Sequence, residues 1–246
     1  MPSAHGIKTE HSLSTVDMVG IRAIFFDAVG TLIYPVEAVA TTYRLAALRQ
    51  SVDLDVSTIR LRLREAFSKQ EWIDRESGWR TNEMREIERW RTIVRETLHE
   101  TPHPDDILFE LWEWFRKPTA WKAHPETAQV LMELNRRGFV LGMASNFDAR
   151  LAEIVSAKSE LEPIAERLII SSLIGWRKPS REFFSHVLEN AGHRAEQILY
   201  VGDDLRNDYE GALAAGMRAL LLAPDSKADG CEVIQTLSHL TTGQDR

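Results

Sequence analysis

Six polar residues carry the chemistry that this sequence offers: Asp27, Ser145, Asn146, Lys178, Asp203 and Asp208. Asp27, Ser145-Asn146 and Asp203 each follow a short apolar run of the kind that forms a buried strand; Lys178 comes after another such run, and Asp208 lies one helical turn beyond Asp203. Carboxyl ends of parallel strands lie along one edge of a sheet, where open α/β folds bind ligands. Three carboxylates at one edge repel one another, and folding tolerates that only with a compensating cation. Lys178 supplies one positive charge. A hard divalent ion held by carboxylate oxygens supplies the rest, and Mg²⁺ is the usual choice. A helix N-terminus expected behind Ser145 would add amide donors for an anion. Carboxylate, Mg²⁺, lysine, serine and a helix N-terminus together suit phosphoryl chemistry.

Alternating apolar and helical segments must position these groups. The run Ile21–Phe26 predicts a central strand that ends at Asp27, and Gly30 permits a sharp turn just beyond. Further strands are expected at Phe139–Ala144, Arg167–Ser171, Ile198–Val201 and Arg218–Leu222. The intervening helices are expected at Pro125–Arg137 (with Pro at its first position), Ser180–Glu189 and Asn207–Ala215, with a last one at Val233–Leu240. This alternation implies right-handed βαβ units and a parallel sheet. Between the first strand and the rest, apolar residues follow helical spacing in Val36–Gln50, Val56–Glu76, Asn82–His99 and Pro104–Phe115. The expected fold is therefore a Rossmann-like α/β core, residues 21–35 and 118–246, carrying an inserted all-helical cap domain, residues 36–117. Residues 1–20 read as a loose polar tail.

The insertion is rich in tryptophan. Trp72, Trp79, Trp90, Trp112 and Trp114, with Trp121 just beyond, are expected to fill its core and its contact with the other domain. Trp79-Arg80 is the first candidate to face a substrate. Arg60, Arg62 and Arg64 alternate with leucines and read as solvated charges.

The chain has 246 residues and a net charge of −7. That balance argues against nucleic acid or an anionic membrane as a partner. One cysteine, Cys231, gives no internal disulfide and no metal cluster. The sequence shows no signal-peptide core and no membrane-length apolar run, so a cytoplasmic protein is expected.

Four segments resemble, in order and spacing, the motifs of the haloacid dehalogenase-like (HAD) hydrolase superfamily, with the helical cap of its subfamily I. Phe-Phe-Asp-Ala-Val-Gly-Thr-Leu is similar to the first motif, Ala-Ser-Asn to the second, Arg-Lys-Pro to the third and Val-Gly-Asp-Asp-Leu-Arg-Asn-Asp to the fourth. The resemblance implies Asp27 as the nucleophile of a transient aspartyl-phosphate. It implies Ser145 as a hydrogen-bonding partner of the transferring group, and Lys178 as the charge that neutralises both. Thr31 would orient the motif loop, and Thr31, Ser145, Asn146 and Lys178 would contact substrate. Asp27, Asp203, Asp208 and the backbone carbonyl of Val29 would hold Mg²⁺. The implied activity is Mg²⁺-dependent hydrolysis of a small phosphorylated metabolite. Family phosphatases carry a second aspartate two residues after the nucleophile, to protonate the leaving alcohol. Val29 stands there instead. The family's 2-haloacid dehalogenases also lack that aspartate, so dehalogenation is an alternative, as is a protein that keeps the fold to bind a phosphorylated ligand or a partner without turnover. The acidic pair at Asp203 and Asp208 favours phosphoryl chemistry.

Overall fold

The computed structural model describes residues 16–224 and 230–242. Residues 1–15 of the expected tail lie outside the described residues.

Strand β1 (Ala23–Phe26) is buried along its whole length and sits in the middle of a six-stranded sheet. Its neighbours are β4 (Val140–Ser145) and β6 (Ile198–Gly202), with β5 (Leu168–Ile170) beyond β4, and β7 (Arg218–Leu222) and β8 (Val233–Ile234) beyond β6. All pairings in this sheet are parallel. Phe26 stands opposite both Met143 and Val201, so the three central strands end level with one another. Alternation along β1 feeds two cores. Ile24 and Phe26 face α5 (Thr127–Arg136) and α6 (Arg150–Ser156) through Val130, Leu131, Leu134, Leu151 and Ile154. Ala23 and Phe25 face α8 (Arg181–Ala191) through Phe183, Phe184 and Val187.

The helical insertion comprises α1 (Val39–Arg49), α2 (Val56–Glu76), α3 (Glu83–Thr97) and α4 (Pro104–Arg116). They enclose a hydrophobic cluster of their own, with Tyr43, Ile59, Ile93, Leu98 and Leu111 buried. Asp55 caps α2 by accepting from Ser57 N, and Asn82 caps α3 by accepting from Arg85 N. The chain enters the insertion through β2 (Ile33–Pro35) and leaves through β3 (Trp121–Ala123), which pair antiparallel. Among the described residues no helix is long and apolar enough to cross a membrane.

Several expected elements differ in detail. Helix α5 starts at Thr127, with Glu126 as its cap, so Pro125 lies outside the helix. The expected last helix is instead β8 followed by a single 3₁₀ turn, Leu237–Leu240. The segment after Asp203 is a π-helical turn, Leu205–Glu210, followed by the short helix α9 (Gly211–Ala214), and a further short helix, α7 (Ser171–Ile174), follows β5. Trp72 is 63% exposed and Trp114 37%, so neither fills the core of the insertion.

Gly142 in β4 tests how tightly the two cores are joined through the sheet. A Cβ there would lie 2.3 Å from the Phe25 ring, which is itself fully buried. Gly142→Ala should destabilise the protein by about 1–3 kcal/mol through overpacking. Chemical denaturation monitored by circular dichroism checks this.

Candidate active site

Because the central strands end level, the loops that follow them converge. Asp27 continues β1 by one more rung, its N–H donating to Val201 O at 2.9 Å. Asp203 follows β6, and Asp208 sits in the π-helical turn beyond it. One carboxylate oxygen from each of Asp27, Asp203 and Asp208 lies within 4.8 Å of the others. Gly30 makes this approach possible. It has φ +94°, and a Cβ there would meet the Asp203 carboxylate at 2.2 Å.

Lys178 lies beneath the cluster, almost fully buried. Its Nζ donates to Asp27 Oδ1 and Asp208 Oδ1, both at 2.5 Å, and to the Tyr200 hydroxyl at 3.2 Å. Tyr200 donates onward to the Ala144 carbonyl at 2.5 Å. Burial works against the Lys178 charge, but Asp208 and Asp27 hold its pKa well above the usual lysine range. Burial and then the Asp27 charge push Asp208 up to about 6, against the pull of Lys178. Asp203 opens onto the cleft, yet the surrounding protein, and then Asp27 and Asp208, raise it to about 7. The four groups as they stand lack one or more positive charges.

The remaining candidates fall around this cluster. Thr31 Oγ1 donates to Asp203 Oδ1 at 3.4 Å, a long contact that ties the first motif loop to the fourth. Ser145 is buried at the end of β4 and lines the cleft. Asn146 also lines it, but its amide grips the Lys178 backbone: Nδ2 donates to Lys178 O at 3.1 Å, and Oδ1 accepts from Lys178 N at 2.8 Å. Val29 lines the cleft as well. Several of the amides expected behind Ser145 are taken up within the protein. Helix α6 begins only at Arg150, and the N–H groups of Phe147, Ala149 and Arg150 donate to Ser171 Oγ, Glu83 Oε1 and Asp148 Oδ1.

The cap closes one side of a cleft of about 390 Å³ above the acids. Trp79, half-buried with φ +64°, lines it and carries the Arg206 guanidinium 5.3 Å from its ring. Its neighbour Arg80 turns away to stack on Trp176 at 4.8 Å. The segment Trp79–Thr81 pairs with the loop before Lys178: Arg177 N donates to Trp79 O at 2.8 Å, and Thr81 N to Gly175 O at 3.0 Å. Arg177 itself bonds Glu86 and lies 3.4 Å from Asp74, two buried acids of the cap. Asp74 also takes Arg85 at 2.7 Å and Arg89. Burial, and then the Arg177 charge, bring Arg89 down to about 8.

An α/β core with a helical insertion after its first strand, and an aspartate, a lysine and an acidic pair converging at the strand ends, defines a class of hydrolase. The chain belongs to the haloacid dehalogenase-like hydrolases, whose family model matches residues 21–216. It is 24% identical over 238 residues to haloacid dehalogenase-like hydrolase domain-containing protein 3 of Bos taurus, covering 92% of this chain and 94% of that protein. It is 26% identical over 198 residues to the glyceraldehyde 3-phosphate phosphatase of Methanopyrus kandleri, covering 80% and 82%. Among solved structures it resembles the magnesium-bound HAD hydrolase YfnB of Bacillus subtilis, with a TM-score of 0.69, 20% identity, and 89% and 96% covered. The L-2-haloacid dehalogenase of Xanthobacter autotrophicus gives a TM-score of 0.68 at 18% identity, with the same coverage.

Tyr200 and Arg177 belong to the site but were not singled out in the sequence. Tyr200 left one signal: a lone hydroxyl in the buried strand Ile-Leu-Tyr-Val must find a partner. Arg177 stands in the Arg-Lys-Pro segment, but its pairing was not readable there, because its partner Glu86 lies 91 residues away in the cap.

The raised carboxylates give a pH test in metal-free protein. A folded-state pKa above the unfolded value means that the folded state binds the proton more tightly between the two values. Stability from Asp203 is therefore present near pH 4 and lost as pH rises through about 7. Asp203→Asn mimics the protonated form at every pH. In chelator its melting temperature should match wild type only below about pH 4, pull ahead as pH rises from there, and keep its full lead above about pH 7; thermal scans from about pH 4 to 8 check the sign.

Proposed function

We propose that the protein is a Mg²⁺-dependent phosphomonoesterase acting on a small phosphorylated molecule through an aspartyl-phosphate on Asp27. The observation that carries this reading is the cluster of three carboxylates within 4.8 Å above one buried lysine. The donor set is all oxygen and anionic, which suits a hard divalent ion. Mg²⁺ held by Asp27, Asp203, Asp208 and the Val29 carbonyl would offset the charge that the cluster leaves uncompensated and that a bound phosphoryl group increases. The match to a phosphatase of similar length supports the same class of substrate.

The residues then divide the work as follows. A carboxylate oxygen of Asp27 attacks phosphorus, and the ester P–O bond breaks, its electron pair leaving with the alcohol oxygen. Lys178, bonded to Asp27 Oδ1, offsets the charge of the site and keeps that carboxylate aimed. Ser145 donates to a phosphoryl oxygen, and Asn146 keeps the Lys178 backbone in place. Water next attacks phosphorus, the Asp27–phosphorus link breaks, and inorganic phosphate leaves with the carboxylate restored. Cap residues Trp79 and Trp90 limit the access of bulk water to the cleft.

Asp27→Asn removes the nucleophile and keeps the side chain's size. Hydrolysis of an aryl phosphate should fall by about a thousandfold or more, with the fold intact by circular dichroism. Near-normal turnover would eliminate the covalent route.

Val29 offers no proton to the leaving oxygen. A phenolate leaves without one, whereas an alkoxide needs it, and general acid catalysis is worth about a hundredfold to ten-thousandfold. Wild type should therefore cleave aryl phosphates far faster than alkyl phosphates. Val29→Asp should narrow that gap, mainly by speeding the alkyl esters. Efficient alkyl hydrolysis by wild type, unchanged in Val29→Asp, would assign the proton to another residue.

The valine also favours a second reading, 2-haloacid dehalogenation, because halide leaves as an anion and needs no acid. Asp203 and Asp208 weigh against it. Turnover of 2-haloacids that persists in chelator would establish that reading and exclude the first.

A further inference from the structure

The cleft does not end at the acids. Val29, Phe67, Trp90, Asn146 and Phe147 line both it and a second cavity of about 480 Å³ between cap and core. Tyr43, Leu63, Leu111 and Trp112 contribute to the far walls, so the surface is largely aliphatic and aromatic. A cavity of this size is in the range that accepts a ring-bearing ligand. Its walls would leave the hydroxyls of a sugar without partners, which is costly for a buried polar group.

Three arginines also line this chamber: Arg60, Arg64 and Arg150. Arg150 is neutralised. It is bidentate to Asp148, at 2.7 Å for both bonds, and stacks 3.6 Å from the Trp112 ring centroid. Arg60 and Arg64 are exposed at the rim and form neither an ion pair nor a hydrogen bond among the described residues. They are four residues apart in α2, hence on one face, where like charges oppose each other. Arg62, between them, points elsewhere and pairs with Glu100 at 2.7 Å. Arg60 and Arg64 are solvated charges, as their pattern in the sequence indicates, whereas Arg62 is partly buried in its ion pair.

We infer that the substrate is the phosphate ester of a flat, apolar alcohol or phenol that carries a carboxylate at its far end. This assignment rests on the phosphatase reading: the phosphoryl group meets Asp27, the ring fills the chamber past Val29, and the carboxylate reaches Arg60 and Arg64. Apolar burial supplies the affinity, and the guanidinium pair fixes the orientation.

Phosphonates cannot be hydrolysed, so they separate recognition from turnover. Calorimetry with Mg²⁺ present would compare ethylphosphonate, 2-phenylethylphosphonate and the latter with carboxyalkyl chains of one to three methylenes at the para position. The ring should tighten binding about tenfold or more, and the best carboxylate about tenfold again. In Arg60→Gln/Arg64→Gln the ratio between carboxylated and plain phenylethyl compounds should fall toward one. Equal affinity for the ethyl and phenylethyl compounds, or no binding by any ring-bearing phosphonate, overturns the chamber as the substrate site. A carboxylate gain that survives the double variant overturns the arginine assignment. Turnover is scored separately with phenyl phosphate. Ring-dependent phosphonate binding without phenyl phosphate turnover removes the phosphatase reading and leaves the chamber, whereas turnover without ring preference does the reverse.

Discussion

The site depends on one buried ammonium group shared between two carboxylates. Lys178 Nζ reaches Asp27 and Asp208 at 2.5 Å each, inside protein where neither charge would survive alone. Removing the lysine would leave two buried anions facing each other. Removing either acid would leave a buried cation with a single charged partner. Each charge is therefore held by the others, and the cluster still carries more negative than positive charge once Asp203 is counted. An incomplete balance of this kind is poor design for stability alone and suits a site that takes up a cation and then an anion.

Holding Lys178 in place draws on distant parts of the chain. Asn146 fixes its backbone from the end of β4, Tyr200 meets its ammonium from β6, and Arg177, the residue before it, ties the loop to Asp74 and Glu86 in the cap. The paired backbone of Trp79–Thr81 and Gly175–Arg177 adds hydrogen bonds between cap and core at the same place. A cap that swings away must break these bonds and expose buried charges beside Lys178. Cap position and lysine position are thus mechanically linked through a three-residue segment.

The parts of this arrangement that are local in sequence were legible there. Strand ends carry Asp27, Ser145 and Asp203, and apolar periodicity placed those strands to within about a residue or two. Helix α2 was legible to both ends, because Asp55 caps it and the periodicity runs through Glu76. Elements held mainly by tertiary contacts were not. The β2–β3 ribbon is three residues a side, with Pro35 in it, and β8 has two residues that pair only because β7 lies beside them. The helix expected after Asp203 became a π turn, in which Asp204 accepts from Arg206 N and Asn207 N and Asp208 turns in toward Lys178. The Asn146 amide was legible as a polar group at the edge, but not as one occupied by the Lys178 backbone, because that pairing spans thirty-two residues.

Val29 joins the two halves of the molecule's chemistry. It lies two residues beyond Asp27 and lines both the acid cleft and the apolar chamber. A carboxylate in its place would add a further negative charge beside Asp27 and Asp203, and would present it to Phe67 and Trp90 across the shared wall. Both effects disfavour its ionised form. The apolar residue removes that conflict and extends the chamber's surface to the point where a leaving group would depart. Within the proposed reaction, the same methyl groups that withhold a proton from the leaving oxygen also contact the body it belongs to. Demand for a good leaving group and preference for an apolar one then have a single structural origin, and a phenol satisfies both.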